Sequence, residues 1–432
     1  MKKYFLILGR NEALSLAEAV SLLQGRLKKP NLLAYGSFLI FEADEPIDFW
    51  SEFGGAIKFG EIIGEIKEIA EIKADIFIPH LDKEKKNFFG ISFYKESPTP
   101  PRPCVSRSLG SQAGRGGDGE RSSPSTANAG QAGRGRNRPD VFKLGMTLKR
   151  QFEEKNVKIR LVTSKEETLS SVVVKTNKLL TRGLEAVILD AGDKLFIGKT
   201  LAVQEFADYE FRDYGRPGRD PLSGMIPPKL AKMMLNLSTA NAGQAGTKKE
   251  DIILDPFCGS GTILTEAAIL GYTNLIGADI SEKAVDDSKK NMEWVKNNYR
   301  LQTTDYRLQQ IDVREISKMV APNSVDAIVT EPYLGPPLHG NERADTIKKI
   351  TDELGNLYTD SFPALFVVAK KGAIMVMVVP LIKIGGKEYT IQFNSGGWQE
   401  EKIKIDGKEI SPLIWSRPDQ KVIREIRIYK KG

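Results

Sequence analysis

Four acidic residues stand at matching places along the second half of this chain, each closing a short apolar run. Ile252-Ile253-Leu254 leads into Asp255-Pro256-Phe257-Cys258-Gly259-Ser260-Gly261-Thr262, and Leu275-Ile276-Gly277-Ala278 ends in Asp279, 20 residues after Gly259. A strand expected around residues 306–311 ends in Asp312. Asp326-Ala327-Ile328-Val329-Thr330 ends in Glu331-Pro332-Tyr333-Leu334-Gly335. Glycines in the first turn let the backbone come close to a ligand at the carboxyl end of a parallel strand. Asp255 heads that turn and no Lys-Ser/Thr pair follows its glycines. A nucleotide phosphate would be repelled there and would want a cation, so the turn suits a ligand with cationic groups. Acids are common at helix N-caps and turns, but capping alone does not set four of them in register with a glycine-rich turn.

The sulfonium and amino-acid end of S-adenosylmethionine is such a cationic ligand. On this reading Asp255, Phe257, Gly259, Gly261 and Thr262 form its loop. Asp279 accepts from the ribose hydroxyls and Asp312 from the adenine amine, with Ile280 and Val313 beside them. The fold class expected is α/β, a Rossmann-like doubly wound sheet of the class I methyltransferase kind with this cofactor at its strand ends.

The elements that must hold these residues follow from pattern. Thr262 to Leu270 reads as a helix, and Ser281 caps another running to about Tyr299. Pro227-Pro228 opens a helix whose Leu230, Met233, Met234 and Leu237 mark an apolar core face. Residues 388–429 alternate as closing strands. Upstream, residues 1–65 read as an α+β domain: a strand at 4–8, a helix near 13–24, two strands within 32–43 and a helix near 47–58. Residues 66–200 read as a second α+β module with strands at 88–94, 158–162, 186–189 and 194–198. Its helices fall near 141–155 and 168–181. A linker, 201–224, leads to the catalytic domain at 225–432.

Composition narrows the function classes. With Cys104 and Cys258 as the only cysteines and His80 and His339 as the only histidines, neither a disulfide framework nor a metal site is expected, and a reducing, cytoplasmic setting fits. No apolar run approaches the roughly 20 residues that span a bilayer. The net charge of +7 is unevenly placed: residues 97–139 carry seven arginines against Asp118 and Glu120. A more telling local signal is 143–182, with ten Lys/Arg against four Glu, a face able to hold a phosphate backbone. Residues 125–133 recur letter for letter at 238–246, 113 residues on. The copies sit in small-residue stretches that cannot build a core. Both read as insertions, 97–139 and 238–248, without a catalytic part. Pro103-Cys104 falls in the first and is not read as a nucleophile.

Together these residues resemble the THUMP-domain tRNA guanine N2-methyltransferases that modify guanosine 10. The resemblance rests on the cofactor motifs, on Leu8-Gly9-Arg10-Asn11 and Arg160-Leu161-Val162-Thr163-Ser164-Lys165, and on residues 212–220 and 224–230. It implies a THUMP-like tRNA-binding module at 66–200 and methylation of a guanine N2 amine in tRNA, with catalysis by Glu331, Pro332 and Tyr333. Arg212, Arg216 and Arg219 at the junction either touch RNA backbone or pair with Asp213 and Asp220 to fix the hinge. The fourth motif departs from the usual Asp/Asn-Pro-Pro-Tyr; an alternative alignment puts Thr330 at the acidic position. A DNA amino-methyltransferase and a silent RNA-binding relative of the fold are the competing readings. Whether an activating subunit is needed is not legible.

Overall fold

The computed structural model describes residues 1–27, 30–96, 139–219, 224–238, 248–301, 304–418 and 420–432. The two inserted stretches, with Cys104, lie outside these residues except at their ends. The first half comprises β1 (Lys2–Leu8), α1 (Glu12–Arg26), β2 (Asn31–Tyr35), β3 (Phe38–Ala43), β4 (Ala56–Ile66) and β5 (Asn87–Lys95). It continues with α2 (Val141–Glu154), β6 (Ile159–Val162), α3 (Ser171–Thr176), β7 (Gly183–Asp190) and β8 (Leu195–Val203). α4 (Phe206–Tyr214) occupies the stretch read as a linker. The second half runs α5 (Pro228–Ser238), β9 (Ile252–Asp255), α6 (Thr262–Ile269), β10 (Asn274–Asp279), α7 (Glu282–Tyr299), β11 (Asp305–Gln310), β12 (Val325–Thr330), α8 (Ala344–Val368) and β13 (Ala369–Ile384). The short strands β14 (Lys387–Thr390), β15 (Trp398–Glu401), β16 (Lys404–Ile405), β17 (Lys408–Glu409) and β18 (Ile414–Trp415) precede β19 (Val422–Lys431).

The strands of the first half join in the order β2-β3-β1-β4-β8-β7-β5-β6. β4 pairs antiparallel with β1 on one side and β8 on the other. The residues read as two regions, 1–65 and 66–200, thus share one hydrogen-bonded sheet.

The helix expected near 47–58 does not form. A single 3-10 turn, Trp50–Glu52, is followed by Gly54 and Gly55 and then by β4. The N–H groups of Gly54 and Gly55 each donate to the Glu18 carboxylate at 2.6 Å. A Cβ on Gly54 would come within 2.7 Å of the Met233 side chain, and one on Gly55 within 2.7 Å of Glu18 and Ser15. Only glycine fits between α1 and α5, and an N–H aimed at Glu18 cannot feed a helix. The helix expected at 168–181 shortens to α3, capped by the Ser170 hydroxyl.

In the second half the order is β11-β10-β9-β12-β13-β19-β15. β9 through β13 pair in parallel, and β19 lies antiparallel between β13 and β15. Strand order reverses between β9 and β12, which opens a crevice at their carboxyl ends. α5 is buried at every residue but Lys229, and the stripe Leu230, Met233, Met234 and Leu237 packs with Leu14, Leu22 and Leu23 of α1 in one core. The two halves therefore share a core.

Glu18 pins this junction, since Asn236 Nδ2 also donates to it at 2.7 Å. Glu18→Ala leaves the Gly54 and Gly55 N–H groups unmet and removes one of the bonds of Asn236, and should cost about 3 kcal/mol of stability in urea unfolding. A loss below about 0.5 kcal/mol, the scale of an ordinary surface change, would refute that role.

Candidate active site

The glycine-rich turn is built by short-range rules. β9 ends at Asp255, and Gly259 (φ +51°) and Gly261 (φ +80°) take left-handed conformations. Gly261 N donates to the Cys258 carbonyl at 2.7 Å, closing the turn into α6. A Cβ at Gly261 would collide with Ser288 of α7, so this glycine serves close packing. Unlike Gly259, it does not line the cavity. Gly259 differs: a Cβ there would meet no atom within 4 Å, and the residue faces the cavity. Asn291 of α7 donates to the Ser260 and Gly218 carbonyls, each at 2.7 Å, and so ties the turn to the junction segment.

Two of the junction arginines are buried. Arg212 binds Glu266 of α6 through Nε (2.5 Å) and Nη2 (3.3 Å) and also pairs with Asp208. Arg216 donates to the Thr262 hydroxyl and lies 3.9 Å from Asp213. Both fix α6 and its turn against the first half. Arg219 is exposed, over the ring of exposed Tyr214.

A cavity of about 510 Å³ opens at the carboxyl ends of the parallel strands. Asp255, Phe257, Gly259, Thr262, Asp279, Ile280, Asp312, Val313, Glu331, Pro332 and Tyr333 all line it, joined by Gly224, Met225 and Ile226 from the junction. Thr330 does not; it is buried and its hydroxyl donates to Asp255 Oδ1 at 2.7 Å. This geometry supports the alignment that puts Glu331, rather than Thr330, at the acidic position.

The four carboxylates differ in how their charge is met. Asp255, 1% exposed, meets no cation among the described residues; burial pushes it up to about 7, and the nearby charges of Asp279 and Glu331 add to this. Hydrogen bonds from Thr330 and the Phe257 N–H pull the other way. Asp279 accepts from the N–H groups of Gly259 and Ser281, each at 2.9 Å. Asp312 is held below the usual range by Arg314, whose side chain donates at 2.9 and 2.5 Å. Glu331 is raised by burial and drawn back by Arg424, whose Nε and Nη2 reach its two oxygens at 2.5 and 3.3 Å.

Tyr333 is 57% exposed, a ring presented to solvent at the cavity edge. Its carbonyl accepts from the Tyr358 hydroxyl at 2.8 Å, and Gly335 (φ +97°) rests against Ile350 and Leu354 of α8. Arg424 and Tyr358 escaped the sequence reading. A signal for Arg424 existed: it shares a strand face with Ile426 and Ile428, where an apolar residue is the rule.

Residues 218–360 match the family described as "RMKL-like, methyltransferase domain". A tRNA (guanine(10)-N2)-dimethyltransferase of Methanothermobacter thermautotrophicus is 36% identical over 145 residues, 33% of this chain and 37% of that one. The enzyme of the same name from Methanocaldococcus jannaschii is 28% identical over 195 residues, 44% of this chain and 52% of that one. A Methanothermococcus thermolithotrophicus protein named "Probable tRNA (guanine(10)-N2)-dimethyltransferase" is 30% identical over 143 residues, 33% of this chain and 81% of that one. The chain thus spans about two fifths to half the length of the first two relatives.

The Asp255 environment makes a pH-dependent claim. Between its ordinary value of 3.8 and its folded value of about 7, the folded chain keeps a proton that the unfolded chain has lost. Stability from this group is full below the lower value and falls as pH rises through the upper one. Asp255→Asn should exceed the parent by about 2–4 kcal/mol at pH near 8 and lose that advantage near pH 4. Urea unfolding across pH measures it; an offset independent of pH would refute the assignment.

Proposed function

The chain belongs to the tRNA guanine N2-methyltransferase family, and from that premise we propose that it methylates the exocyclic N2 amine of a guanosine in tRNA, at position 10, using S-adenosylmethionine. The observation that carries this reading is that the glycine-rich turn and the Glu331-Pro332-Tyr333 turn face one cavity at the reversal of the sheet. The cavity suits the cofactor on two counts. Gly259 leaves open space where any side chain would intrude, and Asp255 and Asp279 offer acids to a cationic ligand. When bound, S-adenosylmethionine supplies a methyl group activated by its sulfonium.

The chain's own residues would then act as follows. Asp255 meets positive charge, Asp279 accepts from ribose hydroxyls, and Asp312 accepts from the adenine amine beside Ile280 and Val313. The guanine amine is a weak nucleophile because its lone pair is conjugated with the ring. Glu331 accepts from an amine N–H, localises that lone pair and receives the proton as the new bond forms. Tyr333 stacks on the extruded base, and Pro332 shapes the turn between them. Methyl transfer needs an in-line approach, so much of the rate rests on positioning.

The same reading assigns tRNA binding to a THUMP-like module within residues 66–200. Its exposed cations include Arg160 and Arg182, both over the Phe88 ring. Its setting would be the cytoplasm; among the described residues no helix is long and apolar enough to cross a membrane.

Incubation with unmodified tRNA and methyl-labelled cofactor, followed by mass spectrometry of the nucleosides, should yield N2-methylated guanosine. A different methylated nucleoside would overturn the substrate, and cofactor binding without turnover on any tRNA would mark a silent fold. Glu331→Ala should lower kcat by roughly 100-fold or more while sparing cofactor affinity. A bound cation favours the ionised form of Asp255, so cofactor affinity in calorimetry should fall on acidification below a pH of about 7, by up to about tenfold per unit. Asp255→Asn should flatten that profile.

A further inference from the structure

The fourth acid carries one more methylene than the Asp or Asn usual at this place, and the fold meets that difference from another strand. Arg424, on β19 and 93 residues from Glu331, binds both carboxylate oxygens of Glu331. Its Nη2 also donates to the Gly224 carbonyl at 3.2 Å, and Gly224 is itself part of the cavity wall. We propose that Arg424 is a positioning residue for methyl transfer: its guanidinium fixes the Glu331 carboxylate in the orientation that meets the substrate amine. The inference deepens the function proposed above and rests on it.

Geometry and chemistry support the assignment. An unrestrained Glu side chain samples several rotamers, and a two-point fork removes that freedom in a way a lone ammonium does not. A carboxylate has about four lone-pair sites. Arg424 takes one on each oxygen, which leaves acceptor capacity on both for an amine N–H. The surroundings otherwise work against charge on Glu331. Its side chain is 10% exposed, burial is what pushes it toward the protonated form, and Tyr358 of α8 is neutral. Arg424 is the cation that draws Glu331 back from the protonated form, and only the carboxylate can receive the amine proton. A salt bridge kept merely for stability has little to recommend it in a buried place, where apolar residues serve as well. Here the pair sits at the cavity, and its acid is the group that must be charged.

The test compares the parent with Arg424→Gln, Arg424→Lys and Glu331→Gln on unmodified tRNA and labelled S-adenosylmethionine. Arg424→Gln should lower kcat roughly 100-fold, with a far smaller effect on cofactor affinity. It should also move the acid limb of the kcat–pH profile up by about one unit or more. Arg424→Lys should keep that limb near the parent's while losing about tenfold in kcat, since it restores the charge without the fork. An unchanged kcat in Arg424→Gln, or a fall with no movement of the limb, overturns the proposal.

Infrared difference spectra against Glu331→Gln read the protonation of Glu331 without turnover. A carboxylate band that gives way to the protonated carboxyl band at higher pH in Arg424→Gln than in the parent upholds the role. Should the parent transfer no methyl group while the spectra show this change, the proposed reaction fails and the hold of Arg424 on Glu331 stands. Should transfer occur while the carboxyl band of Arg424→Gln titrates as in the parent, the positioning role is the part that fails.

Discussion

The parallel pairing of β9 with β12 is the constraint on which the site depends. Ala327 lies opposite Ile253 and Ile328 opposite Leu254, so the two strands end side by side at the place where strand order reverses. Asp255 and Thr330 then meet at 2.7 Å, and the chain leaves in two directions. From β9 it turns through glycines into α6; from β12 it turns through Glu331 and Pro332 toward α8. A slip of one residue would turn Asp255 and Thr330 to opposite faces of the sheet and separate the two turns. The cavity is what that divergence leaves open.

Around the cavity the fold manages four like charges by four devices, and the differences carry chemical meaning. Backbone N–H groups hold Asp279, a neighbouring guanidinium holds Asp312, and a guanidinium from another strand holds Glu331. Asp255 has only hydrogen bonds from Thr330 and Phe257 and therefore rises to about 7. A carboxyl so placed responds to added positive charge more than a carboxylate already paired. The position heading the glycine-rich turn is thus the one most sensitive to a cationic ligand, and the position heading the fourth turn is already compensated within the chain.

Much of this was legible in the sequence because it follows from local rules. The turn glycines, the Ser281 cap, the strand ends and the buried stripe of α5 each depend on residues a few positions apart. The failures share one cause, distance along the chain. A helix near 47–58 looked plausible by pattern, but Glu18 and Met233 decide what Gly54 and Gly55 can do. β4 takes its place in the sheet from β8, more than a hundred residues on. The closeness of Gly261 to Ser288 of α7 is likewise set from outside the turn. Arg424 and Glu331 look unrelated until β19 is laid beside β13.

The junction arginines show how burial turns an ambiguous motif into a definite one. Residues 212–219 have the charge of a backbone-binding segment, yet Arg212 and Arg216 are among the most buried cations of the described residues. Arg212, with Lys232, answers the buried charge of Glu266 on the helix that follows the glycine-rich turn. Glu266 and Glu18 both act on Lys232, and Asn236 joins Glu18 to the Glu52 carbonyl. Breaking any one contact strands a buried polar partner, so the halves are held as one unit and do not flex freely about a linker. The exposed cations between 143 and 182 and the cavity consequently keep a set separation.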